Sequence, residues 1–269
     1  MGVLWNKMSY FATMSSLCLA ALNSGSNGNC YYIGNDRSAV LIDAGISCRE
    51  TEHRMARLGL SVNKVRAIFI SHEHTDHTRG VEVLSRKHRI PVYITPATHR
   101  NSHLWLDPDL VFHFAAHEPV NIDGLTVHPF PKQHDGIDPH SFTVSNGDIT
   151  AGVFTDIGIA CEHVVTHLGR CHAAFLEANY DEMMLEKSNY PVYLKRRIRG
   201  GEGHLSNLQA LEIFNSHRAS FLQLLILSHL SAQNNNPRIV HDLFAPHANG
   251  TRIAIASRYE GTGIFTIQA

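Results

Sequence analysis

A chain of 269 residues, 43% hydrophobic and 17% charged, can bury a substantial core and is too apolar for a disordered segment. No run of about 18 apolar residues supplies a membrane span, and a formal net charge of −1 gives no bulk attraction for nucleic acid or anionic membranes. A polyanionic substrate must therefore be drawn by local charge or by bound metal.

Residues 1–15 read as a dispensable N-terminal extension, with Met8 or Met14 as alternative starts. Lys7 and the fairly apolar stretch 8–22 imitate a signal peptide, but Ser9, Thr13, Ser15 and Ser16 interrupt it, and the expected location is cytoplasmic. Cys18, Cys30, Cys48, Cys161 and Cys171 are odd in number and form no C-x-x-C pair, as expected of reduced thiols in a cytosol.

Strands are expected over 17–22, 30–33 and 39–42, separated by the turn-forming runs 23–29 and 34–36. Ser47 with Glu50 three residues on is a capping-box pattern opening a helix that Gly59 ends. A buried strand over 65–70, a helix over about 78–87, a strand over 92–94 and a helix starting at Pro96 follow. Further strands are expected at 111–114, 125–130, 141–144 and 149–154, then at 173–176, 221–227, 252–255 and 264–267 with helices between them. The order β-rich, β/α, β-rich, β/α points to two stacked sheets with helices outside and a cleft along the sheet edges. One large domain is the first expectation and two lobes the second.

Twenty histidines are more than any one site needs, so a histidine matters here by its neighbours. Six consecutive residues, His72-Glu73-His74-Thr75-Asp76-His77, follow the strand at 65–70. On a strand His77 would oppose the other three ligand-type side chains, and on a helix all four would fan around the axis. The segment is therefore expected to be a loop folded around something. Three imidazoles and a carboxylate suit a borderline divalent cation such as zinc, and further ligands from elsewhere would hold a second ion.

Ser71-His72-Glu73-His74-Thr75-Asp76-His77 resembles the H-x-H-x-D-H signature of the metallo-β-lactamase superfamily. The expected companions occur in order: Asp43 in Leu41-Ile42-Asp43-Ala44-Gly45, His134, Asp156 in Phe154-Thr155-Asp156-Ile157-Gly158, and His229 in Leu227-Ser228-His229-Leu230-Ser231. The resemblance implies an α/β fold, a four-layer αβ/βα sandwich, with residues 16–269 as a single hydrolase domain. It implies that His72, His74 and His134 hold one metal, that Asp76, His77 and His229 hold another, and that Asp156 bridges them. Asp43 would accept a hydrogen bond from a ligand imidazole. His117, His128 and His140 lie near His134 in sequence and compete with it for its role, and Asp156 also fits a turn before Gly158. A mixed imidazole and carboxylate set admits two divalent ions, zinc or manganese, with iron also compatible.

Several stretches resemble a bacterial subfamily called YycJ or WalJ-like: Leu22-Asn23-Ser24-Gly25-Ser26-Asn27-Gly28-Asn29-Cys30, His134-Asp135-Gly136-Ile137-Asp138-Pro139, Glu177-Ala178-Asn179-Tyr180-Asp181, Gly203-His204-Leu205-Ser206-Asn207 and Leu227-Ser228-His229-Leu230-Ser231-Ala232-Gln233-Asn234-Asn235. That subfamily is linked to DNA processing, which implies a phosphodiesterase or nuclease of the 5′-to-3′ DNA exonuclease kind, working through a metal-activated hydroxide. DNA is the favoured partner. Asp76 and His204 are the catalytic candidates, His204 as the group that protonates the leaving oxygen. In the competing reading, Ser206 caps the following helix and His204 merely faces solvent. Arg197 and Arg199, from a basic run starting at Lys195, and Ser206 and Asn207 are candidates for substrate phosphate, although a solvated helix face explains the basic run equally well. The turn at 25–29 could offer backbone N–H groups to a phosphate, or it is a plain connection. The same ligand set serves a hydrolase of small thioesters or lactones, which is the alternative. A redox di-iron protein would carry Glu where this chain has His74, and a purely structural metal site would need no bridging carboxylate.

Overall fold

The computed structural model describes residues 15–268; all but the last of the 15 residues read as an extension lie outside them. In chain order the strands are β1 (Ser16–Asn23), β2 (Cys30–Gly34), β3 (Ala39–Ile42), β4 (Val65–Phe69), β5 (Val92–Tyr93), β6 (Val111–Phe112), β7 (Val120–Ile122), β8 (Leu125–Pro131), β9 (His140–Asn146), β10 (Ile149–Phe154), β11 (Ala173–Glu177), β12 (Leu224–Ser228), β13 (Arg252–Ile255) and β14 (Phe265–Gln268). The helices are α1 (Cys48–Arg57), α2 (Thr75–Thr78), α3 (Val81–His88), α4 (Pro96–Ser102), α5 (Glu162–Leu168), α6 (Glu182–Lys187), α7 (Val192–Arg199), α8 (Asn207–His217) and α9 (Pro237–Phe244).

Two seven-stranded sheets form, ordered β14-β1-β2-β3-β4-β5-β6 and β13-β12-β11-β10-β9-β8-β7. Each begins with antiparallel pairing, β1 to β3 and β7 to β10, and then adds three parallel strands. This is the duplication implied by the alternation of β-rich and β/α stretches. Tyr31, Val40 and Phe69 of the first sheet pack with Phe142, Val153 and Phe175 of the second in one shared core. Met55 and Leu84 cover the outer face of the first sheet, and Leu168, Phe214 and Phe244 that of the second. The result is a four-layer αβ/βα sandwich. The parallel strands β3, β11 and β12 are buried at every position, which is why they read as unbroken apolar runs.

Some boundaries differ from expectation. The short β7 has no counterpart among the expected strands, and the strand over 221–227 begins only at Leu224. Ser47 Oγ accepts from Glu50 N at 3.2 Å, but the Glu50 carboxylate pairs with Arg54 at 2.6 Å, so the capping box is only half made. The helix over 78–87 is two helices, α2 and α3, broken at Arg79-Gly80. Gly80 N donates to Ala44 O at 2.8 Å, and a Cβ there would lie 1.9 Å from Ile46 O, so the backbone approaches too closely for any other residue. Gly45 meets the same turn: its Cβ would fall 1.6 Å from Asp76 O. Two glycines thus fasten the histidine segment to the loop after β3.

Candidate metal centre

The strands of both sheets end at one cleft. After β4, residues 71–74 run as an irregular loop bent at Glu73, and the one-turn helix α2 carries Asp76 and His77, so the segment is half loop and half helix, where sequence suggested loop alone. From the second sheet come His134 after β8, Asp156 after β10, Glu177 at the end of β11 and His229 after β12. Asp43, Asp156 and His229 each follow a strand with left-handed backbone, at φ 60°, 55° and 56°. Such torsions cost of order 1–3 kcal/mol per residue and persist only where the surroundings enforce them.

All seven residues expected to hold metal converge. Ligand-type atoms of His72, His74 and His134 lie within 4.8 Å of one another, as do those of Asp76, His77 and His229, and those of His72, His77 and Asp156. Asp156 faces His77 Nε2 at 3.3 Å, His229 Nδ1 at 3.4 Å and His134 Nε2 at 3.8 Å. His72 Nε2 and His74 Nδ1 approach to 3.0 Å.

Hydrogen bonds behind these side chains decide which nitrogens point inward. Asp43 accepts from Ser71 N and Ser71 Oγ, both at 2.8 Å, and from His77 Nδ1 at 2.6 Å. Since the one Ser71 hydroxyl proton goes to Asp43, Ser71 Oγ accepts from His72 Nδ1 at 2.9 Å, so the His72 Nε2 lone pair faces His74 Nδ1 at 3.0 Å. His134 Nδ1 donates to Gly203 O at 3.0 Å, freeing Nε2. Asn29 Nδ2 donates to Asp76 Oδ2 at 3.2 Å.

Burial and close neighbours shift the titration of the cleft groups strongly. Burial, with the charge of His77 beside it, holds His72 neutral, well below the usual imidazole range. Burial likewise pushes His134 down to about 4, against the pull of Asp156. For His77 and His229 burial is overcome: the Asp156 and Asp43 carboxylates raise His77 well above its ordinary value, and Asp156, Asp76 and Glu177 raise His229 to about 10. Asp76 falls to about 2 because His77 and His229 outweigh its burial, and Asp156 is held well below the carboxylate range by His229, His77 and Lys132. Even so, buried Asp156 Oδ2 and His229 Nε2 find no hydrogen-bond partner among the described residues. Orphaned buried atoms are costly, and a donor set of imidazoles and carboxylates with unmet atoms fits divalent cations.

His204 stands at the mouth, its side chain 22% exposed. Its ring lies 5.3 Å from that of His134 and 5.2 Å from that of His229. Fully buried Glu177 accepts from His204 Nδ1 and from His229 Nδ1, both at 2.8 Å, and from Ile157 N at 2.8 Å. Sequence reasoning assigned Glu177 no role, although it closes an apolar strand much as Asp43 follows one. It missed two more. Lys132, almost wholly buried, donates to Thr155 O at 2.8 Å with Nζ 4.0 Å from Asp156. Asp135 Oδ1 is buried without a hydrogen-bond partner among the described residues, 3.2 Å from His134 Nε2 and 3.7 Å from His74 Nε2.

The residues expected at substrate phosphate are engaged elsewhere. Arg197 forks onto Asp135 through Nε at 2.7 Å and Nη2 at 2.5 Å, and Arg199 pairs with Glu186 at 2.6 Å. Ser206 is the buried N-cap of α8, closing a full capping box with Gln209, and buried Asn207 pairs with Asn235. Arg197 and Asn207 are held by partners 62 and 28 residues away, Arg199 and Ser206 by nearer ones. In the 25–29 turn the amides of Gly25, Gly28 and Asn29 are committed, to Asn29 Oδ1, Gly25 O and Asp76 O.

A beta-lactamase superfamily domain matches residues 38–229. Over 222 residues the chain is 32% identical to exodeoxyribonuclease YycJ of Bacillus anthracis, a match covering 81% of this chain and 84% of that protein. It is 28% identical over 225 residues to exodeoxyribonuclease WalJ of Streptococcus pneumoniae, covering 82% and 84%. The crystal structure of the metallo-beta-lactamase fold protein YhfI from Bacillus subtilis covers 94% of this chain and 100% of that one at a TM-score of 0.73 and 15% identity, a likeness of fold. With the domain match spanning most of the chain and the YycJ match most of both partners, the protein belongs to the metallo-β-lactamase superfamily as a YycJ/WalJ-like metal-dependent hydrolase.

Proposed function

We propose that the cleft hydrolyses phosphodiester bonds in nucleic acid, DNA before RNA, as a 5′-to-3′ exonuclease, and that residues 16–269 work as one hydrolase domain. The observation that carries this is His204, held by Glu177 at 2.8 Å beside both histidine groups. A departing sugar alkoxide needs a proton, whereas a thiolate, with a thiol pKa of about 8.5, leaves without one. A positioned donor therefore favours phosphodiesters over thioesters. The curated names of the YycJ and WalJ relatives support the same class of substrate.

His72, His74, His134 and Asp156 would hold one divalent ion, and Asp76, His77, His229 and Asp156 the other, zinc or manganese, with iron compatible. When bound, such ions neutralise phosphate charge and acidify water at neutral pH. The chain's own residues do the rest. Asp43 and Ser71 fix the rings of His77 and His72, and Asp76 orients within the cleft through Asn29. Glu177 accepts the His204 Nδ1 proton and so orients the ring, and from its imidazolium form the ring gives its Nε2 proton to the leaving oxygen and returns to the neutral Nδ1–H tautomer. Exposed Tyr193 and Arg196 on α7 offer a stacking surface and a charge for the strand. Five free cysteines fit a cytoplasmic setting, and no described helix is long and apolar enough to cross a membrane.

Elemental analysis followed by digestion of 5′- and 3′-labelled single- and double-stranded DNA, with RNA and a thioester in parallel, tests the reading. Release of nucleotides from DNA 5′ ends is the expected result. Thioester turnover with intact DNA and RNA would overturn it.

A further inference from the structure

A second group of ligand-type side chains lies on the outer face of the first sheet. Cys48 opens α1, Glu52 follows one turn later, and His88 closes α3, at the other end of that helix from the turn bearing Asp76 and His77. Cys48 Sγ lies 3.6 Å from Glu52 Oε1, and His88 Nε2 lies 2.6 Å from the same oxygen. One atom from each of the three falls within 4.8 Å of the others. Cys48 is 6% exposed, while the Glu52 and His88 side chains are 26% and 23% exposed, leaving an open side for solvent.

We propose that Cys48, Glu52 and His88 form a separate binding site for one zinc-like divalent cation, with water as the fourth ligand. Thiolate, imidazole and carboxylate are the ligands zinc takes. Tetrahedral coordination with Zn–S of about 2.3 Å and Zn–O or Zn–N of about 2.0–2.1 Å separates sulfur from oxygen by about 3.6 Å and nitrogen from oxygen by about 3.3 Å. The first separation is already present. The second requires the His88–Glu52 hydrogen bond to open by about 0.7 Å, a small move for two half-exposed side chains. Binding releases the thiol proton of Cys48 and leaves His88 coordinating through Nε2. Lys87 Nζ, 56% exposed and 2.6 Å from Glu52 Oε1, is the present counter-ion, and the cation displaces it. Occupancy ties α1 to α3, and through α3 it braces the turn that carries Asp76 and His77.

Among the described residues the cleft groups include no sulfur, so a cobalt titration of the metal-stripped full chain separates the two sites. A sulfur-to-cobalt charge-transfer band in the near ultraviolet reports a thiolate ligand, which Cys48→Ser assigns to Cys48, while visible ligand-field bands report the cleft as well. The band is expected in the wild type, absent in Cys48→Ser and displaced by zinc. In His88→Gln cobalt affinity falls at least about tenfold, and in Lys87→Ala it rises, with circular dichroism confirming that each variant folds. Absence of the sulfur band from folded wild-type protein whose cleft takes cobalt would overturn the proposal. Survival of the band in Cys48→Ser would do the same.

Discussion

Glu177 Oε1 accepts the Nδ1 proton of His204 at 2.8 Å, with the carboxylate itself fully buried and pulled down to about 2, where His204 and His229 outweigh its burial. Removal of the donor should hurt most where the leaving group needs a proton. His204→Ala is expected to lower kcat on DNA by roughly 10²–10⁴, the usual worth of a positioned general acid, and to spare an activated nitrophenyl phosphodiester. Steady-state kinetics on both substrates reads this out. Equal losses on the two would place His204 in a purely structural role.

Stripping the cations should expose the unmet atoms of Asp156 and His229. Chelation is expected to abolish hydrolysis, to lower the melting temperature, and to be reversed by added zinc or manganese. His72→Ala and Asp76→Ala should each remove activity by several orders of magnitude while keeping the far-ultraviolet circular dichroism of the parent. Full activity in a folded, metal-depleted variant would contradict the metal-dependent reading.

Gly45→Ala asks for a methyl group 1.6 Å from the Asp76 carbonyl oxygen. Because backbone blocks it on both sides, the turn has to move, at a cost of at least about 1–3 kcal/mol. A drop in melting temperature accompanied by a fall in bound metal is expected, measured by calorimetry and elemental analysis. An unchanged metal content would mean that the turn does not depend on this contact.

A pH effect unconnected with the cleft comes from His167, whose ring stacks on Phe130 at 3.9 Å and 6°. Burial, aided by Arg170 and the neighbouring histidines His128, His117 and His163, pushes its pKa down to about 4. The unfolded chain, with His near 6.5, takes up the proton first, so stability is full above about pH 6.5 and is lost as pH falls towards 4. Melting temperatures of wild type and His167→Phe at pH 7.5 and 4.5 should show the variant losing less. A parallel decline in both would remove His167 as a cause.

The strands that present ligands were readable because β3, β4, β10 and β12 are short apolar runs ending in Asp, His or turn residues. Local chemistry also identified the Ser47 cap and the Pro96 start. What escaped is non-local. The break at Gly80 exists because Ala44 and Ile46 lie against it, and the commitment of Arg197 depends on Asp135, 62 residues away. Glu177 fell between the two cases: its position at a strand end was visible, but its pairing with His204 and His229 arises only when β11 and β12 lie side by side.

Asp43 and the 71–77 segment belong to one sheet, whereas His134, Asp156, Glu177 and His229 belong to the other. The gap across which the two groups face one another is therefore gauged by the rings wedged deep between the sheets, Tyr31 against Phe175 at 4.9 Å and Phe69 against Phe142 at 5.6 Å. Those four aromatics act as shims. Trimming or thickening one of them would retune the jaws of the cleft without altering a single coordinating atom.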